Sequence, residues 1–390
     1  MNKSRSSVIV AICLILFLSC KKDIGKIPAV SFCYWKTTFA IDSADAASMN
    51  QLGVQHLYLR LFDVDWDAIT QAPNPVAECE KSYDYQYLTD ITPTVFITNA
   101  VFENIKDGDL EAFAVKLSAK ANALRKSIFE SCLNSSVAGS KEYQNLINNG
   151  ETGWEAARKY QDSVMSILEP EYLKRNNELL IDCDWTPSTK TKYFKFLELL
   201  KSKTSEMSVS STLRLWQYRD YKLAGVPPVE RCLLMCYNLR DPRKYETENS
   251  IATLDDLKSY INHSDYPLQL DVALPIHTWA VYFRKGRFKG IVNSIPVSEI
   301  IKNKALFEPK TDNRYTVLKD TVIGETYYRF GDVFRIEQVD LTTLNGFALH
   351  LKQYLKKNHS TRISFFSWDA QFYNRFKKDE YNQIIHNFAE

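Results

Sequence analysis

Glu178-Leu179-Leu180-Ile181-Asp182-Cys183-Asp184-Trp185-Thr186 begins as an apolar run and ends on two carboxylates two residues apart. So short an apolar run, bounded by polar residues, reads as a buried strand. Side chains alternate along a strand, so Asp182, Asp184 and Thr186 share one face, while Leu179, Ile181 and Cys183 share the other. Two carboxylates do not belong on a face packed against helices. They are expected to look into the interior of a closed sheet, where each raises the other's pKa unless a cation or donor compensates.

Working outward from this run, seven others have the same character: Ala29–Trp35, His56–Phe62, Thr92–Thr98, Ser208–Trp216, Arg231–Tyr237, Leu268–Leu274 and Thr361–Trp368. Helical patterns lie between most of them, at Ala44–Leu52, Asp109–Cys132, Lys190–Ser202, Leu254–Ile261 and Leu341–Lys357. Strands alternating with helices imply parallel βαβ units. Eight such units predict an α/β fold, a (β/α)8 TIM barrel, as one domain over residues 29–390. Two connections are oversized. Residues 103–177 predict a helical insertion after strand 3 that includes Trp154–Ile167, and residues 280–360 predict a β-rich insertion between strands 7 and 8. The latter carries Tyr315–Leu318 and Thr326–Val339, joined near Gly324.

The composition fits a folded globular chain: 390 residues, 45% hydrophobic, 25% charged and 13% aromatic. Lys+Arg of 49 against Asp+Glu of 47 leaves a net charge of +2 with no basic arm, which argues against nucleic acid as a partner. Neither GxGxxG nor GxxxxGK[ST] follows the first strand, and no GxSxG, HExxH or EF-hand loop occurs, so no cofactor or metal is expected.

The N-terminus is a targeting segment. Lys3 and Arg5 precede an apolar run from Val8 to Leu18. As a helix that run rises about 16 Å, well short of a hydrocarbon core of roughly 30 Å. It reads as a signal peptide over residues 1–20 with a tether at 21–28. Leu16-Phe17-Leu18-Ser19-Cys20 resembles the bacterial lipobox, which implies acylation of Cys20 by chains such as palmitate. Lys21-Lys22-Asp23 is similar to the charged start of lipoproteins from the Bacteroidetes lineage, some of which are surface-exposed. The expected location is the bacterial envelope, tethered to the outer membrane or cell surface rather than the inner membrane. The six remaining cysteines lie mostly in apolar runs, where free Cys acts as a small hydrophobe.

In a (β/α)8 barrel the chemistry sits where strands end and βα-loops begin. On the second strand, Arg60 is expected to point inward and neutralise Asp182 or Asp184, since a buried arginine demands a partner. Asp63, Asp65 and Trp66 follow on the loop, where helix or turn capping is an equal reading for the aspartates. On the sixth strand Met235 and Tyr237 share a face, and Asn238 follows at the rim. Trp35, Trp66, Trp185, Trp216, Trp279 and Trp368 fall at or just beyond strand ends, where indoles stack on the apolar faces of sugars. Gln217, His277 and Asp369 are further candidates for polar contacts.

An Asp-x-Asp pair ending the fourth strand and Met235-x-Tyr237-Asn238 ending the sixth resemble chitinase-type glycoside hydrolases of family eighteen and their barrel relatives. The resemblance implies that Asp182 and Asp184 are the central carboxylates and that Tyr237 and Asn238 contact a substrate acetamido group. It also implies that Trp368 is a sugar platform. Leu179 stands where the family has its first aspartate, and Thr186 where it has the acid glutamate. A threonine hydroxyl cannot deliver a proton near neutral pH as a carboxylic acid can. Three readings stay open. One is a hydrolase with Asp63, Asp65, Glu103 or Asp369 as stand-in acid; another is a lipoprotein that binds glycan without cleaving it. The third is an envelope scaffold whose aspartates only neutralise Arg60.

Overall fold

Strands rich in Leu, Ile, Val and Phe are stable only where both of their faces are covered, and a closed parallel sheet wrapped in helices does that. In the computed structural model, which describes residues 28–85, 89–204, 206–292, 295–358 and 360–389, all eight runs are strands. They are β1 (Ala29–Tyr34), β2 (His56–Asp67), β3 (Asp90–Ile97), β4 (Glu178–Asp182), β5 (Ser208–Arg214), β6 (Arg231–Met235), β7 (Gln269–Pro275) and β8 (Arg362–Phe366). Each pairs in parallel with its sequence neighbour, including β7 with β8, between which the insertion intervenes in sequence but not in the sheet. β1 pairs with both β8 and β2, closing the cylinder. The fold is a (β/α)8 TIM barrel. The signal peptide, the tether through Ile27 and Cys20 lie outside the described residues.

Alternation sorts the side chains. Leu179, Ile181, Cys183, Cys232 and Leu234 face the helices and are fully buried. Inward residues reveal themselves by contacts that cross the cylinder. Tyr58 on β2 donates to Asp271 on β7 (2.7 Å), and Arg362 on β8 reaches Glu178 on β4 (2.7 Å). Arg231 adds a 3.0 Å pair to Asp271. Burial raises the Asp271 carboxyl; for Glu178 burial is the largest single influence, but the Arg362 and Arg231 charges and the hydrogen bonds from Ser210 and Arg362 together outweigh it and hold the carboxyl below its usual value. These charged residues start their strands, so the network braces the N-terminal mouth. A cavity of about 510 Å³ opens there, lined in part by His56, Glu178, Ser210, Arg231 and Arg362.

Both insertions form where the sequence places them. Leu110–Ala138, Lys141–Ile147 and Glu151–Arg175 are helices between β3 and β4. Between β7 and β8 lies a five-stranded antiparallel sheet containing Thr278–Arg284, Arg287–Val292, Phe307–Pro309, Arg314–Val317 and Val333–Gln338. Its own small core includes Tyr282, Phe307, Tyr328 and Phe334. Thr326–Val339 is not one strand. A turn at Gly331, which adopts φ +82, separates the hairpin strand Thr326–Tyr328 from Val333–Gln338. The six described cysteines are all free and buried, and burial pushes the Cys33 thiol up to about 12. Among the described residues no helix is long and apolar enough to cross a membrane.

Candidate functional site

The C-terminal mouth divides into two walls. The charged wall rises from β2, β4 and β5. Asp182 and Asp184 do face inward together: the Thr212 hydroxyl on β5 donates to Asp182 (2.8 Å), and Arg214 on the same strand grips Asp184 through two bonds of 2.5 Å. Asp182 is 8% exposed. Burial raises its carboxyl to about 7, helped by the Asp184 charge and opposed by Thr212 and Arg214.

The partner of the aspartates is therefore not Arg60. That guanidinium turns to Asp63 three residues on, with Nε donating to Oδ1 at 2.6 Å. A register irregularity between Arg60 and Phe62 brings the two side chains together. Arg214 takes the role instead. Its position two residues after the inward Thr212, on the same strand, was a signal available in the sequence.

The aromatic wall rises from β6, β7, β8 and β1. Tyr237 stacks on Phe366 (4.8 Å, 28°), and Phe366 meets Trp35 (5.6 Å). His277 sits edge-on to Tyr237, Trp279, Phe366 and Phe372. Tyr237 and His277 are buried beneath, while Trp35, Trp279, Phe366 and Phe372 are half-buried. Burial lowers the His277 imidazole to about 4, so it is neutral at physiological pH. Neither of its ring nitrogens has a hydrogen-bond partner of good geometry among the described residues.

Several expected rim residues lie elsewhere. Trp185 turns outward, stacks on Tyr193 (5.2 Å, 25°) and is fully buried. Its odd position beside inward Asp184 requires this. Trp368 is also fully buried, stacked on Tyr373 and donating to Asp45 (2.9 Å); the strand ends at Phe366, so alternation no longer governs it. Phe366 is the aromatic that β8 presents to the mouth. Gln217 is buried and braces the backbone, accepting from Arg214 N (2.7 Å) and donating to the Trp185 carbonyl (2.9 Å). Trp216 is half-buried at the start of the short helix after β5.

The remaining carboxylates are also engaged. β2 continues to Asp67 and folds back through Ala72–Val76, so Asp63, Asp65 and Trp66 lie on a hairpin rather than a loop. Asp65 is exposed and accepts from Thr98 (2.6 Å) and from Trp66 N, which lowers its pKa. Asp369 caps the helix at Ala370 and lies 3.7 Å from Lys36. Glu103 is exposed and held by Asn99 (2.8 Å). Thr186 bonds Ser188 (2.8 Å) and accepts at its carbonyl from Lys190 N, so it shapes the turn that leads to the following helix, whose N-cap is Thr189. Asn238 is exposed in the left-handed region (φ 58), a conformation asparagine tolerates, and there it turns the chain out of the sixth unit. No group of three or more His, Cys, Asp or Glu among the described residues could hold a metal ion.

No family model matches the sequence, and no curated protein matches it. Among solved structures the chain is similar to the spore cortex-lytic enzyme SleL of Bacillus cereus, with 13% identity, 93% of this chain and 75% of that one covered, and a TM-score of 0.40. It is also similar to the C-terminal domain of ChiA from Legionella pneumophila, at 10% identity, 92% and 97% coverage and a TM-score of 0.35. A third is the GH53 catalytic domain of Ignisphaera aggregans, at 11% identity, 93% and 96% coverage and a TM-score of 0.38. At identities this low, the assignment of the barrel rests on its own strand order and closure.

Proposed function

We propose that this chain is a glycan-binding envelope lipoprotein whose ligand lies in the C-terminal mouth. A sugar ring would rest on Phe366, Trp35 and Trp279, with its hydroxyls turned to Asp182, Asp184 and Arg214. The observation that carries this reading is the opposition of a half-buried aromatic wall to a hydrogen-bonding charged wall across one mouth. Sugars have apolar faces and polar edges, and such a pair of walls matches both. Capture without cleavage is favoured by the state of the carboxylates. Asp63 and Asp184 are gripped by arginines, Asp369 caps a helix, and the acid position of the resembled family is Thr186.

A glycan array tests the reading. The wild type is expected to capture a carbohydrate, and Phe366→Ala to weaken that capture by about tenfold, the scale of one lost aromatic contact. Capture of no glycan would end the proposal. One observation keeps hydrolysis as a second reading: Asp182, raised to about 7, would hold its proton near neutrality as a general acid must. Reducing ends released by the wild type but not by Asp182→Asn, at a rate falling as pH rises past about 7, would establish that second reading.

The anchor belongs to the same proposal. Mass spectrometry of the mature chain is expected to find an acylated N-terminal Cys20, and Cys20→Ala to leave the chain unacylated. An unmodified mature N-terminus would contradict it.

A further inference from the structure

The insertion sheet buries an ion pair, Arg335 with Glu337. Arg335 and Glu337 are both essentially inaccessible, two residues apart on the strand Val333–Gln338, and bonded through Arg335 Nε to Glu337 Oε1 at 2.7 Å. Pairs buried this deeply are often replaceable by apolar residues without loss of stability, so what else the two charges hold is informative. The other oxygen of Glu337 accepts from the Trp279 indole N–H (2.7 Å), from Ser250 N (2.9 Å) and from the Ser250 hydroxyl. The remaining nitrogens of Arg335 donate to the carbonyls of Pro242 (2.9 Å), Lys244 (2.8 Å) and Tyr245 (3.1 Å). One buried pair thus ties the segment that follows Asn238 to the edge of Trp279, and Trp279 stands 5.1 Å from His277 in the aromatic wall.

We infer that Glu337 is a positioning residue for Trp279. The carboxylate occupies the indole's only donor and fixes its edge, so the ring offers a ligand its face and no hydrogen bond. A ring already held in place loses less rotational freedom when a ligand arrives, which strengthens binding without a new contact. The inference rests on the carbohydrate reading of the mouth, and it assigns that site a specificity element rooted outside the barrel.

The test compares two double variants. Arg335→Met with Glu337→Gln keeps a carbonyl acceptor for the indole, whereas Arg335→Met with Glu337→Leu removes it; both avoid stranding a buried charge. Thermal melting checks folding, the Trp279 indole N–H signal in a ¹H–¹⁵N spectrum reports its hydrogen bond, and titration with the array-captured glycan reports affinity. The glutamine variant is expected to bind within about threefold of wild type, and the leucine variant about tenfold more weakly, with its indole signal shifted. A folded leucine variant that binds like the wild type would overturn the inference and leave the carbohydrate reading intact. If the wild type captures no glycan, the carbohydrate reading falls. The indole then decides alone: a signal unmoved in the leucine variant overturns the positioning role, and a displaced one supports it.

Discussion

Replacing Arg362 with methionine is expected to cost about 3–5 kcal/mol of folding stability, the scale for stranding a buried charge. Arg362 Nη1 reaches Glu178 at 2.7 Å, the Tyr58 hydroxyl at 3.2 Å and Asp271 at 3.5 Å, so one guanidinium serves β2, β4 and β7 from β8. Without it, Glu178 and Asp271 share the lumen with only Arg231 to balance them. The loss should shrink at acid pH. Against burial, Arg362 makes the largest contribution to holding the Glu178 carboxyl low, with Ser210 and Arg231 assisting, and without it protonation relieves the repulsion at a higher pH. Urea unfolding at pH 7 and at pH 4 to 5 measures both effects. A pH-independent loss below about 1 kcal/mol, typical of a surface pair, would show that the network does not brace the barrel.

Asp182→Asn is expected to act in the opposite direction and stabilise the fold. The native carboxyl sits at about 7 against its ordinary value of 3.8, with burial the main cause. Between those values the folded chain holds a proton that the unfolded chain has released, so native stability falls as pH rises through this window. Asparagine has no such penalty. The gain should be absent below about pH 4, grow up to about pH 7 and then level off, with an upper bound on the order of 4 kcal/mol from 1.36 kcal/mol per unit. Asparagine can still accept the Thr212 hydroxyl hydrogen bond, so the comparison is clean at that contact. Melting temperatures across pH 4 to 8 check it, and a stability difference that does not change with pH would refute the assignment.

The barrel was legible because its eight strands are short apolar-rich runs alternating with helical patterns, the rhythm of parallel βαβ units. What escaped was of a different kind. The β2 hairpin carries Asp63, Asp65 and Asp67 and reads as a loop, because a strand pair projecting past the sheet has no apolar face to reveal it. The first insertion strands, Thr278–Arg284 and Arg287–Val292, pair locally and need no helix between them, so the βα rhythm does not mark them. In the mouth, alternation placed Asp182 and Asp184 as the contacts show them. Applied to the next residue, it would also have turned Trp185 outward. Arg60 could not be placed, because the irregularity beside it breaks the period of two. Glu337 was out of reach altogether: its link to Ser250 spans 87 residues, and nothing local in the sequence marks such a contact.

Hydrogen exchange on the wild-type chain, with and without saturating array-captured glycan, asks most directly whether the aromatic and carboxylate walls hold the ligand. Slowed exchange confined to residues 183–186, 236–239, 276–280 and 366–369 is the expected result. Protection instead around residues 175–178 and 230–231, at the opposite mouth, or no protection anywhere, would contradict it.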